Sequence, residues 1–470
     1  MKVTLTVIFE LLIFYLLLAC QPAEEEILVT NLEELKKVVE IASPGTDIFL
    51  ADGVFEGDNL ELSAKGTEGK LIRILAKNPG KVTFKSGLKL KSDYFSLEGI
   101  QFEGRGSVEI EGEDCRLTQC HFSDSKANKW VRVLPGSKKI EIDHNTFENK
   151  TGNTTTKKGC QMVQVIVLNQ NEQHHIHHNL FKDIPKGMES NGYETLQLIT
   201  KGNPFDPPAG DCNSIIEKNL FIRCNGESEI ISVKSNGNII RNNTFRESKG
   251  ALVLRHGDNN QVTENYFFGE GENGSGGVRF QGSGQVVAHN YFHKLGQFGV
   301  SMMDGTPDYL YVRVENGEVS FNTFIDCRKT LTIGLNHSKH PNGTVPKDCF
   351  ILGNLFYSKQ DGEDSPFVKL VQDDEPENFI WSNNLVFGKP QPLAKGFFEA
   401  DPVLEFQNNH IGLPTQKTPS FQLEIPEKEF YTIDLLGQQR GMNKTVGAIQ
   451  FPVDSLGFKP VSEKETGTAY

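Results

Sequence analysis

The sequence predicts an all-β fold, a right-handed parallel β-helix solenoid with an N-terminal capping helix, and three observations carry that prediction. First, the tripeptide Asn-x-Phe recurs at Asn145-Thr-Phe147, Asn179-Leu-Phe181, Asn219-Leu-Phe221, Asn243-Thr-Phe245, Asn265-Tyr-Phe267, Asn290-Tyr-Phe292, Asn322-Thr-Phe324 and Asn354-Leu-Phe356. Degenerate copies sit at Ile100-Gln-Phe102, Cys120-His-Phe122 and Asn384-Leu-Val386. The intervals Phe221 to Phe245, Phe245 to Phe267 and Phe267 to Phe292 are 24, 22 and 25 residues, a period that marks stacked repeats. Second, each unit holds short apolar runs such as Glu229-Ile-Ile-Ser-Val, Ala251-Leu-Val-Leu and Gly277-Val-Arg-Phe, bounded by Gly, Asn, Asp and Ser turns. Third, no ten-residue helical pattern separates these runs. The expected coil therefore stacks Phe inside and bonds Asn from rung to rung at a turn.

Taken in order, residues 1–20 read as an export leader: Lys2, a mostly apolar run from Val7 to Ala19 broken by Glu10, and the ending Leu17-Leu-Ala-Cys20. That ending resembles a bacterial lipobox, which would make Cys20 the lipid-bearing first residue; an ordinary cleaved leader is the alternative. The apolar run is shorter than the ~20 residues a spanning helix needs. Residues 21–26 are an acidic linker, and residues 27–470 form a single β-helix domain. The address is then the bacterial cell envelope, in the periplasm or on the outer membrane, with the membrane touched only through a lipid on Cys20.

An open solenoid end exposes strand edges and must be covered. Asn31-Leu-Glu-Glu34 reads as a capping box, and Leu32, Leu35, Val39 and Ile41 give the following helix, to Ala42, an apolar face. The longer intervals between Phe147, Phe181 and Phe221 predict insertions at Asn149 to Gly159 and Lys201 to Gly210. From about Pro402 the repeat fades into an irregular C-terminal closure.

The net charge of −13, with 23% charged residues, argues against a nucleic-acid binder that works through bulk positive charge. An acidic protein handling an anionic polymer needs a local basic cleft or a bound cation. Apart from Cys20, the cysteines at 115, 120, 160, 212, 224, 327 and 349 contain no CxxC pair. They read as small buried hydrophobes, with a single disulfide left open.

Chemistry concentrates at Asn225-Gly-Glu-Ser-Glu-Ile-Ile-Ser-Val-Lys234 and Leu254-Arg-His-Gly-Asp258. Aligning Ile231-Ser-Val-Lys234, Leu252-Val-Leu-Arg255 and Gly276-Gly-Val-Arg279 by one coil puts three cations on successive rungs, ~4.8 Å apart. Glu227 and Glu229, two residues apart, would face one side of an extended strand and supply hard oxygen ligands suited to calcium. Gln197 on the preceding coil could add a neutral oxygen, with Asn225 and Asn191 as rivals. Solvated side chains and simple salt bridges are the plainer alternatives for each residue. His256 points away from Arg255 on a regular strand. The run His174-His-Ile-His-His178 would be split between strand faces, favouring a turn-side stack over a metal box.

These motifs resemble polysaccharide lyase family 6, which contains alginate lyases and chondroitinase B. The likeness runs from Leu32 and Pro44-Gly-Thr-Asp47 to Gly437-Gln-Gln-Arg440 and Val446-Gly-Ala448. It implies Lys234 as Brønsted base, Arg255 as acid, Glu227 and Glu229 as Ca²⁺ ligands, and His256 and Arg279 as groups contacting an anionic polysaccharide. At the third ligand position stands Gln197, where the family has Asn, or Arg in some alginate-cleaving relatives. The implied reaction is β-elimination at a uronate, on alginate with a mannuronate preference or else on dermatan sulfate. A lysine acts as base only when neutral, which a flanking arginine and a bound cation favour. Because arginine holds its proton tightly, Arg255 could equally stabilise the leaving oxygen while water donates. A hydrolase using the carboxylate pair and a non-catalytic binding protein are the rival classes.

Overall fold

The computed structural model describes residues 26–151, 159–187, 191–202, 209–334, 343–359, 366–371, 375–389, 395–407, 411–424, 428–453, 457 and 459–470. The leader with Cys20, and most of the insertions at Asn149 to Gly159 and Lys201 to Gly210, lie outside the described residues.

Three long sheets of 14, 14 and 12 strands run the length of the molecule, and every pairing within them is parallel; the neighbouring strand in each sheet is the equivalent strand one coil away. A representative coil starts with Glu229–Lys234 in the third sheet, continues through Ile239–Arg241 in the first and Thr244–Arg246 in the second, and returns at Gly250–Leu254 to the third. This is a parallel β-helix, and its strands are short because each side of the coil spans only a few residues.

The repeated tripeptide explains the stacking. Asn145, Asn179, Asn219, Asn243, Asn265, Asn290, Asn322, Asn354 and Asn384 are all buried at the turn between the first and second sheets. Each Nδ2 donates to the next Oδ1 at 2.9–3.1 Å. Each Oδ1 also accepts the backbone N–H of the preceding rung, so the ladder satisfies turn amides that the sheets cannot reach. Two residues on, the Phe rings stack inside from Phe55 to Phe356, with centroids 4.5–5.8 Å apart. The residue before the ladder Asn is left-handed: His144, His178, Lys218, Asn242, Glu264, His289, Phe321 and Asn383 have φ between 51° and 56°. Such backbone costs roughly 1–2 kcal/mol per residue, and the Asn bonds offset it.

The helix forms at Leu32–Ile41, with Asn31 Oδ1 accepting from the Glu34 amide at 3.0 Å. Glu34 returns its carboxylate to the Thr30 amide, not to Asn31. Leu35 and Val39 are buried, but Ile41 is 83% exposed; it lies at the last turn, rotated away from the solenoid end, and is not part of the apolar face. The seven described cysteines are buried thiols. The tail runs along the outside of the solenoid. Ile411, Leu435, Leu436 and Ala448 cluster with Tyr266, Tyr291 and Ile325 on the outer face of the second sheet. Farther on, the Val461 amide donates to Thr244 Oγ1 and the Thr468 amide to Thr146 Oγ1, and Tyr470 reaches Gln119.

Candidate active site

The groove lies on the outer face of the third sheet. In the strand Glu229–Lys234, Ile231 and Val233 are fully buried in the core, so the alternate residues Ser232 and Lys234 face outward. The pairing of this strand with the next shifts by one residue between Glu229 and Ile231, a bulge that re-aims the strand's beginning.

Val233 pairs with Leu254, and the Arg255 amide donates to Val233 O at 2.7 Å. Lys234 and Arg255 therefore occupy equivalent positions on successive rungs, as expected. Arg279 does not extend that row. Its partner is Val253, because the register slips by one residue between Gly250 and Leu252. Two strand residues bring it back to the same face, beside Ser232 instead of Lys234, and its guanidinium reaches Glu229 Oε1 at 2.8 Å. Arg255 Nη1 stands 3.4 Å from the same oxygen, and Ser232 Oγ donates to Glu229 Oε2 at 2.6 Å. Glu229 is thus the buried anion that offsets both arginines.

Sequence reasoning missed Glu194. It is 1% exposed and accepts from Gln161 Nε2 at 2.6 Å and Gln197 Nε2 at 2.7 Å, with Lys234 Nζ at 3.7 Å. The register could have found it: Leu196 pairs with Ile231, so Glu194 holds on its coil the place Glu229 holds on the next. Gln197 enters the cluster through this contact, while its Oε1 accepts from Gln164 Nε2 at 2.7 Å.

Glu227 lies beside both other carboxylates. Burial, then the charge of Glu194, then that of Glu229 push its carboxyl well above the ordinary range, against the Gly192 and Tyr193 amides, which donate to Oε1 at 3.3 Å each. The adjacent Gly226 is dictated by packing, since a Cβ there would lie 2.2 Å from Tyr193 O. His256 has φ +54°, so the strand has ended and simple alternation no longer applies. Burial first, then Arg255 and Lys234, lower its imidazole to about 4; it is neutral at neutral pH and within electrostatic reach of the cluster. Asn225 is occupied elsewhere, its Oδ1 accepting the Lys249 amide at 2.7 Å.

Three buried carboxylates flanked by Lys234, Arg255 and Arg279 form a hard-oxygen site among cations. The residues fit a divalent cation: burial, and then the charges of Glu194 and Glu229, favour a proton on Glu227, and a Ca²⁺ ion held by these oxygens would replace that proton. The raised carboxyl also sets a pH signature. Between the ordinary carboxyl pKa of about 4.3 and the raised native value, the native state keeps a proton that the unfolded chain has released, so stability falls as pH rises through this window. Glu227→Gln is expected to flatten that slope in metal-free protein, read as the melting temperature from about pH 5 to about pH 9. Parallel curves for the two proteins would contradict it.

A parallel β-helix carrying paired carboxylates beside a lysine–arginine step defines a class of polysaccharide-active proteins. The chain belongs to polysaccharide lyase family 6: the chondroitinase B family model matches residues 29–422. No curated protein matches significantly. Among solved structures, the family 6 alginate lyase AlyGC is 26% identical, with a TM-score of 0.76 over 94% of this chain; the chain spans 58% of that protein's length. A mannuronic acid specific family 6 lyase from human gut microbiota is 27% identical, with a TM-score of 0.69, over 80% of this chain and 91% of that one. The family 6 lyase Pedsa3628 from Pseudopedobacter saltans shares the fold at 22% identity, with a TM-score of 0.67 over 94% of this chain and 99% of that one.

Proposed function

We propose that this chain is a polysaccharide lyase that cleaves alginate by β-elimination at a uronate, with Lys234 as base and Arg255 at the leaving oxygen. The observation that carries the reading is the placement of Lys234 and Arg255 on adjacent rungs above buried Glu194 and Glu229. Lys234 takes the C5 proton. Charge then builds on the sugar carboxylate, which Arg279 and neutral His256 would receive. A Ca²⁺ ion held by Glu194, Glu227 and Glu229 would supply further neutralisation of the substrate carboxylate. Arg255 stabilises the departing glycosidic oxygen. Along the same face, Arg132 and Lys129 line a cavity of about 330 Å³ with Lys89, suited to an anionic chain. The mannuronate preference rests on the likeness to the gut lyase, and dermatan sulfate is a second reading because the matching family model is that of chondroitinase B. The Leu17-Leu-Ala-Cys20 leader supports a lipid-anchored protein of the bacterial envelope.

The test is parallel digestion of alginate, polymannuronate, polyguluronate and dermatan sulfate, with and without EDTA, followed by ultraviolet absorbance of the 4,5-unsaturated uronate. Alginate and polymannuronate are expected to yield it, and EDTA to slow it. Product from dermatan sulfate alone would move the substrate, and no product from any polymer would remove the lyase reading.

A further inference from the structure

The histidine run falls on the first sheet, across the coil from the groove. Its residues are divided as strand alternation requires: His174 and Ile176 are buried, with His174 Nδ1 accepting the Ile140 amide at 3.2 Å, while His175 and His177 share the outward face. Alternation, which argued against a metal box, is what brings these two rings together, their centroids 4.0 Å apart. Register supplies a third group. Glu141 pairs with His175 one coil on, and one ligand atom from each of Glu141, His175 and His177 lies within 4.8 Å of the others.

We propose that Glu141, His175 and His177 bind a transition-metal ion such as Zn²⁺, clasping two successive coils. Two imidazoles and one carboxylate are the donor set of open four-coordinate zinc sites, whose bonds of about 2.0–2.2 Å place ligand atoms roughly 3.3 Å apart. His177 Nε2 is already 3.0 Å from Glu141 Oε1, and ligand atoms that lie within 4.8 Å of one another must draw together around the ion. Outer groups orient both rings: His177 Nδ1 faces His178 Nδ1 at 2.7 Å, and His175 Nε2 faces Glu217 Oε1 at 3.0 Å, the kind of support that sets imidazole orientation at metal centres. His178 in turn stacks on His144, with centroids 4.9 Å apart, so the turn-side stack exists beside the metal site. The side chains of Glu141 and His175 are each 38% exposed, which gives an ion a path in. Imidazole donors favour zinc over calcium, separating this site from the carboxylate cluster of the groove.

Zinc titration by calorimetry on metal-stripped full-length protein tests the proposal. One Zn²⁺ per chain is expected, with Glu141→Gln and the His175→Ala/His177→Ala double variant each weakening it at least about 10-fold. Glu227→Gln/Glu229→Gln, which alters the groove, is expected to keep it. Circular dichroism checks folding, and if the double variant fails to fold, the near-isosteric Glu141→Gln decides. No zinc uptake by the wild type, or unchanged affinity in Glu141→Gln, overturns the proposal; so does loss of zinc only in the groove variant.

Discussion

Replacing Lys234 by Ala is expected to lower the rate of unsaturated-product formation by roughly 10²–10⁴-fold, the usual contribution of a positioned acid or base. The fold should survive. Among the described residues Lys234 makes one ion pair, 3.7 Å from Glu194, and Glu194 keeps its two amide donors from Gln161 and Gln197 when the lysine is gone. The loss should therefore appear in turnover, with an unfolding midpoint close to wild type. Lys234→Arg is expected to be as inactive, because a guanidinium keeps its charge and cannot accept the C5 proton. Arg255→Ala should cost about 10²–10³-fold, the scale of one lost electrostatic donor. It leaves Glu229 still paired with Arg279 and Ser232, so again the protein should fold. Initial rates on alginate, with circular dichroism as control, check both. Activity within about 10-fold of wild type in Lys234→Ala would rule out a general base there.

The parts of this molecule that repeat were legible in its sequence, because stacking identical groups leaves a period. Asn and Phe at one position per coil announce a polar ladder and an aromatic stack, and the Lys234 to Arg255 step was readable since no bulge intervenes between Val233 and Leu254. What broke the reading was local. Arg279 pairs with Val253, two positions from its expected row, and the one-residue slip before Leu252 and Val278 accounts for one of those two. A left-handed residue at His256 ended the alternation on which its predicted direction depended. Before a ladder Asn, glycine holds the turn position only at Gly353, while His144, Lys218, Glu264 and Phe321 also adopt positive φ; ladder bonds outweigh intrinsic preference there. Glu194 escaped because an acid before a strand looks solvated until the next coil is laid over it. In the histidine run alternation alone shows no third ligand, because Glu141 comes from the neighbouring rung.

The ladder itself predicts the second large effect, on stability. Asn219→Ala is expected to cost about 2–5 kcal/mol, because a buried donor or acceptor left unpaired costs ~1–3 kcal/mol and more than one is stranded here. Asn219 Oδ1 accepts the Asn179 backbone amide at 3.0 Å and the Asn179 side chain at 2.9 Å. Its Nδ2 donates to Ile176 O at 2.9 Å, to Glu217 O at 3.0 Å and to Asn243 Oδ1 at 3.0 Å. Alanine removes all five. Asn219→Asp separates the donor from the acceptor contribution. The carboxylate still accepts from Asn179 but faces Asn243 Oδ1, acceptor against acceptor, so a buried acid is driven to hold its proton. With its carboxyl pKa raised in the native state, Asn219→Asp should gain stability relative to wild type as pH falls from neutral toward about 4, while Asn219→Ala keeps a constant deficit. Urea unfolding followed by circular dichroism at the two pH values reads both effects. A deficit under about 1 kcal/mol in Asn219→Ala would mean that the turn amides find other partners and that the sheets alone hold the coils in register.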